Sequence, residues 1–200
     1  MNRTQVHKAP AREAVTIRPP DSADLAALTG FLDGLSTRTR VQRFFAPVRP
    51  TPAMVRRACG QTGETGQPGQ AGAAGQAIPA GQADILLATR SGVIIGHAMA
   101  ADRAAAGESV TEIGVVVADA WQGQGVGSAL VRALLSRAQA RGVTSLSMDV
   151  LPDNQQVLAM IAGHWAAARR RRDADCVAIQ VELPTARPTR VAPARAPLAG

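Results

Sequence analysis

Gln122-Gly123-Gln124-Gly125-Val126-Gly127 separates a β-branched run, Val115-Val116-Val117, from an amphipathic run, Ala129 to Arg141. A strand that turns through glycines into a helix gathers unpaired backbone N–H groups at one point, beside the positive end of the helix dipole. Glycine takes the positive φ that such a nest requires and lets the backbone come close to a phosphate or pyrophosphate. The turn is therefore expected to hold an anion. Spacing excludes two other phosphate loops: G-x-G-x-x-G would need glycine where Ser128 stands, and no Gly-Lys-Ser/Thr follows.

Outward from that loop the chain reads as an ordered series of elements. Val15-Thr16-Ile17-Arg18 alternates and stops at Pro19-Pro20, which suits a first strand. Leu25, Leu28, Phe31, Leu32 and Leu35 follow helical spacing behind a cap at Asp21 or Ser22. Ser36 or Thr37 opens a second helical run to Phe44-Phe45, and Pro52 opens a short third run to Cys59. Ile85-Leu86-Leu87-Ala88 and Val93-Ile94-Ile95 flank Arg90-Ser91-Gly92 as a hairpin. Val110 to Ala118 is the next strand. Leu130, Val131, Leu134, Leu135 and Ala138 stripe the helix after the glycine loop, which stops at Gly142. A strand at Leu146 to Val150, a helix from Asn154 to Ala167 and a strand from Cys176 to Leu183 complete an α/β chain with a mixed sheet.

Two hundred residues with 46% hydrophobic content suit one domain with a real core. Residues 60–83 are Gly, Gln, Ala and Pro with little to bury, and 184–200 is a Pro/Ala/Arg tail. The expected organisation is a flexible N-terminus at 1–13, a domain at 14–183 carrying a low-complexity insertion at 60–83, and a disordered tail at 184–200. No stretch approaches the ~20 apolar residues of a membrane span and the N-terminus lacks an apolar signal region, so a cytoplasmic protein without a membrane partner is expected. Cys59 and Cys176 read as ordinary thiols, and His7, His97 and His164 are scattered too widely for a metal site, so none is expected. The net charge of +7 owes much to Arg169-Arg170-Arg171-Arg172, Arg187, Arg190 and Arg195, while aromatic content is only 2%, too low for stacking on nucleic acid. The four-arginine run reads as the solvated end of a helix, with docking of an acidic partner as the alternative.

Gln122, Gly125 and Gly127 match the pattern Gln/Arg-x-x-Gly-x-Gly/Ala, and on it the chain resembles the GNAT superfamily of N-acetyltransferases. The likeness runs from about Val15 to Leu183, with 60–83 unmatched, and is sharpest over Glu112 to Asn154. Ile17-Arg18-Pro19, Arg43-Phe44-Phe45 and Ala118-Asp119-Ala120-Trp121-Gln122-Gly123 are most similar to the catalytic domain of bacterial protein lysine acetyltransferases.

That resemblance implies a GNAT fold, a mixed and mostly antiparallel central sheet with helices on both faces. It implies acetyl-CoA as acyl donor and a primary amine, in a small molecule or a protein lysine, as acceptor. By position, Val115 and Val117 would hold the pantetheine amides. Gln122, Gly123, Gln124, Gly125, Val126, Gly127 and Ser128 would hold the pyrophosphate, with Asn154 completing the cofactor side. Val116 or Val117 would donate its N–H to the thioester oxygen. An amine nucleophile must first lose a proton, and a carboxylate can take it. Glu112, ten positions before Gln122, stands where the lysine-acetylating members carry their base, and Asp149 on the next strand is the alternative. One departure stands out: Ile161 occupies the place of the family's acidic tyrosine, in a chain with no tyrosine. An acyl-CoA-binding module that transfers poorly is the competing reading.

Overall fold

The computed structural model describes residues 14–61, 83–105, 108–173 and 175–184. The expected N-terminal segment, nearly all of the insertion and nearly all of the tail lie outside the described residues. The chain runs β1 (Thr16–Arg18), α1 (Asp24–Asp33), α2 (Thr37–Phe44), α3 (Pro52–Ala58), β2 (Ala83–Arg90), β3 (Val93–Ala105) and β4 (Glu108–Val117). A single 3-10 turn, Asp119–Trp121, leads to α4 (Val126–Ala140), β5 (Ser145–Val150), α5 (Gln155–His164), β6 (Arg169–Arg172) and β7 (Val177–Glu182). The strands form one seven-stranded sheet in the order β1-β2-β3-β4-β5-β7-β6. Among the described residues only the β4–β5 pair is parallel, because its connection crosses over through α4; the remaining pairs are antiparallel. This is the mixed, mostly antiparallel sheet expected.

Local chemistry explains the boundaries. Ser36 caps α2 by accepting from Thr39 N–H, and Thr51 caps α3 with Pro52 at its first position. Helix α1 is capped differently from expectation: Ala23 is the N-cap residue, and Asp21 helps from one turn out by accepting the Ala23 N–H at 2.8 Å. Helix α5 stops at His164, short of the expected Ala167. The largest correction concerns Arg169–Arg172. It is not a helix end but the edge strand β6, paired residue for residue with Val177 to Gln180.

Two apolar clusters sit on opposite faces of the sheet. One joins Leu87, Ile94 and Val116 to α1 and α3 through Leu28, Phe31, Leu32 and Val55. The other joins Leu86, Ile95, Ile113, Leu146, Met148 and Ile179 to α4 and α5 through Leu130, Leu134 and Ile161. Alternation along β4 therefore sends Glu112, Gly114 and Val116 to the α1–α3 face and Ile113, Val115 and Val117 to the α4 face. Asp24 and His97 are buried ionisable groups on the first face. Asp24 accepts two 2.6 Å bonds from Arg18, whose guanidinium holds its carboxyl at about 2. His97, opposite Val116 and 2% exposed, donates Nε2–H to the Ala58 carbonyl at 2.9 Å, since a carbonyl can only accept.

Burial, with the nearby Arg43 cation, pushes the His97 pKa down to about 4. The unfolded chain takes that proton near 6.5 while the folded protein refuses it until about 4. Stability is thus complete above pH 6.5 and drains as pH falls toward 4, by up to roughly 3 kcal/mol. The Asp24 contribution persists lower and is lost between 3.8 and about 2. Urea unfolding across pH 7.5 to 4 should show this slope, and H97Q, which keeps a donor but cannot titrate, should flatten it; an unchanged slope in H97Q would remove His97 as the cause.

Candidate active site

Ladder pairing between β4 and β5 is confined to Thr111 opposite Leu146 and Glu112 opposite Ser147. Beyond that point β4 continues to Val117 while still paired to β3 along its other edge. Ala118 N–H donates to Ile95 O at 2.9 Å, which sets the alternation along the strand. Gly114 and Val116 turn their amides toward β3, and Val115 and Val117 turn theirs toward the gap left by β5. Of the two candidates for a donor to a thioester oxygen, Val117 is therefore on the open side and Val116 is not. The Val117 carbonyl already accepts from Gln122 Nε2 at 3.1 Å, so its N–H is the group left over.

The gap widens into a cleft of about 470 Å³. Its walls bring together Glu112, Val115, Val116, Val117, Gln122, Gly123, Gly125, Gly127, Ser128, Asp149 and Asn154. Two expected residues stand apart from it. Gln124 turns its side chain to the Ala120 carbonyl at 2.8 Å, and Val126 is buried in the core as the first residue of α4. Ser128 Oγ lies 3.6 Å from Met160 Sδ, and Asn154 caps α5.

At one end of the cleft, Gly123 and Gly125 hold φ of 72° and 82°, a left-handed backbone that disfavours any side chain. A Cβ at either would meet nothing within 4 Å, so the loop faces open space. Gly125 is the N-cap of α4 and offers no side-chain cap, which leaves the first-turn amides available. A pyrophosphate fits this end by charge and by donor count.

At the other end, α2 closes over Glu112. Asp119 accepts from Ser36 N–H (3.0 Å), Ser36 Oγ (2.6 Å) and Thr39 Oγ1 (2.8 Å). Burial pushes the Asp119 carboxyl up, but these bonds outweigh it and hold the group below the ordinary aspartate range. Gln122 Nε2 reaches the same Thr39 Oγ1 at 3.1 Å. The start of α2 is thereby tied to the segment that leads into the glycine loop. Arg43, one helical turn further, lays its guanidinium on the bare Cα of Gly114, where a Cβ would come within 2.6 Å of Nη2. It also stacks on Phe44, 5.3 Å from the ring centre. Burial draws the Arg43 pKa below the usual arginine value and the Glu112 carboxylate draws it back; the group stays a cation.

A sequence profile of the acetyltransferase (GNAT) family matches residues 65–163, from before β2 almost to the end of α5. This chain belongs to the GNAT family. Over 57 residues it is 44% identical to the L-2,4-diaminobutyric acid acetyltransferase of Nocardia farcinica, a stretch covering 28% of each chain. The GNAT domain of S. lividans PAT superposes with a TM-score of 0.67 at 25% identity, over 88% of this chain and all 100% of that one. A GNAT phosphinothricin acetyltransferase from Sinorhizobium meliloti, in complex with AcCoA, gives a TM-score of 0.62 at 18% identity over 88% of this chain and 94% of its own.

Within this GNAT site, sequence reasoning missed Thr39, Asp119 and Arg43. Asp119 carried no signal beyond its place ahead of the glycine loop, whereas Arg43 sat in a recognisable Arg-Phe-Phe. A direct check on Arg43 is G114A. The new Cβ displaces only the far end of a flexible side chain, so the melting temperature should move by no more than about 2 °C while turnover falls at least tenfold; unchanged turnover would mean that the Arg43 position is immaterial.

Proposed function

We propose that this protein transfers the acetyl group of acetyl-CoA to a primary amine, with Glu112 as the base. The observation that carries the reading is one continuous wall: an open β4 edge running from an uncapped glycine turn at one end to a carboxylate at the other. The donor's pyrophosphate would lie on the amides of Gly123 to Ser128. The peptide-like amides of its pantetheine arm would pair with the Val115 backbone. Acetyl-CoA supplies the activated thioester, and the protein's own groups do the rest.

In this account the acceptor ammonium gives its proton to a Glu112 carboxylate oxygen, directly or through one water, because only the neutral amine carries a lone pair for attack. The Val117 N–H faces the open side and is the donor available to the oxygen on which negative charge develops. As the nitrogen bonds to the carbonyl carbon and the carbon–sulfur bond breaks, the thiolate leaves and the surplus proton on nitrogen passes to water. Thiols ionise near ~8.5, so departure is feasible without a dedicated acid, and the buried Ile161 leaves protonation to water.

For the acceptor, the likeness to protein lysine acetyltransferases and to the GNAT domain of S. lividans PAT supports a protein lysine. The short match to a diaminobutyric acid acetyltransferase supports a small diamino acid as a second reading. Both present an amine at the end of an alkyl chain. Among the described residues no helix is long and apolar enough to cross a membrane, and the reading places the protein with acetyl-CoA in the cytoplasm.

The proposal predicts that acetyl-CoA at ~100 times its dissociation constant stabilises the fold by about 2.7 kcal/mol, and that G125E abolishes this shift. E112Q should keep the shift and lose about 10²–10⁴-fold in turnover at neutral pH. Raising the pH should partly rescue it, since more amine is then already neutral, and D149N should be milder. A severe D149N defect beside a near-normal E112Q would move the base to β5; acetyl-CoA binding with no transfer to any amine would favour a binding module.

A further inference from the structure

Strand register carries the position of Glu112 across the sheet. Glu112 lies opposite Ser147 on β5, Ser147 opposite Gln180 on β7, and Gln180 opposite Arg169 on β6. One row further along, Asp149, Ala178 and Arg171 are aligned in the same way. Residues opposed across a ladder share a face. The buried partners of the intervening rows, Met148 and Ile179, belong to the α4–α5 core, so Glu112, Ser147, Asp149, Gln180, Arg169 and Arg171 share the other face. No residue of β5, β6 or β7 belongs to the cluster that seats α1 and α3. Asp149, Arg169 and Arg171 are exposed there, and Ser147, Ala178 and Gln180 are partly so.

This face is a shelf that begins at the acceptor side of the cleft and ends at a cationic rim. Its charges are segregated: Glu112 and Asp149 at the cleft, Arg169 and Arg171 at the rim, with small or neutral side chains between. Arg171 is shared with the exposed Asp173 at 3.1 Å, whereas Arg169 has no ion pair among the described residues. Arg170 and Arg172 point to the opposite face. Glu182, the remaining acid on the shelf, lies at its far end, opposite Ser145.

We propose that the shelf docks an extended segment of a protein acceptor, with the lysine entering at Glu112 and an acidic residue of that segment meeting Arg169 and Arg171. The inference rests on the protein-lysine reading of the acceptor. Three strand steps of ~4.8 Å separate Glu112 from Arg169, about 14 Å, and an extended chain covers that in about four residues. The substrate class is therefore a lysine with aspartate or glutamate about four residues away. Arginines on an edge strand also discourage edge-to-edge association, but that duty falls on all four equally and has no preferred face.

The face preference supplies the test. Fluorescent peptides with one lysine in a neutral frame, carrying Glu or Gln four residues to either side, are compared in acetyl transfer and, with CoA saturating, in binding by anisotropy. The wild type should favour the Glu peptide in one direction by roughly three- to tenfold in KM and Kd, with kcat unchanged, and lose the preference in high salt. R169Q/R171Q should abolish the preference while R170Q/R172Q, the same charge change on the other face, retains it. Equal loss in both pairs would reduce the effect to net charge and overturn the shelf. So would the absence of a Glu preference in the wild type. Small-amine acetylation, followed in parallel, separates the two readings: transfer to small amines without peptide binding sinks the shelf alone, whereas face-dependent peptide binding without any transfer sinks the catalytic proposal alone.

Discussion

Backbone amides that are withdrawn from water need partners, and nearly all buried ones in folded proteins have them. The ending of β4–β5 pairing at Glu112 and Ser147 breaks that rule locally, leaving the outward groups of Val115 and Val117 beside a cleft rather than a strand. The rest of the molecule is arranged around this gap. Helix α4, whose crossover makes the β4–β5 pair parallel, delivers a glycine turn to one end. Helix α2 brings Arg43 to the other, with its own start held to the approach to that turn through Asp119 and Gln122. A ligand with amides of its own completes such an edge as a missing strand would.

Charge around Glu112 is arranged with similar economy. Glu112, Gly114 and Val116 succeed one another on one face of β4, and Arg43 occupies the space that the absence of a Gly114 side chain leaves. His97 stands behind Val116 on the neighbouring strand. Were it protonated, a second cation would sit near Arg43 in a poorly solvated setting. Burial and the Arg43 cation keep it neutral against the opposing pull of its bond to Ala58, so the field at Glu112 comes from the arginine.

The parts of this arrangement that were legible in the sequence are those dictated by local chemistry. Gly123 and Gly125 are needed for positive φ, Leu130 and Leu134 repeat at helical spacing, and Ser91-Gly92 turns a hairpin whose strands are continuous apolar runs. The illegible parts depend on partners distant in sequence. Four consecutive arginines show no alternation of polarity, so β6 exists only because β7 offers a ladder at its side. The end of β4–β5 pairing leaves no mark on either strand, since Val115 to Val117 would look the same in a fully paired sheet. Thr39 and Asp119 meet across eighty positions, and no local spacing could announce that bond.

The claim on which everything turns is that the open edge of β4 receives the acyl donor. Residue-resolved amide exchange by NMR tests it directly, because the strand carries its own control. Without ligand, Val115 and Val117 should exchange quickly and Val116, bonded to β3, slowly; saturating acetyl-CoA should slow Val115 and Val117 and leave Val116 as it was. Val115 and Val117 amides that are already protected in the free protein, or that saturating acetyl-CoA leaves unchanged, would contradict the account.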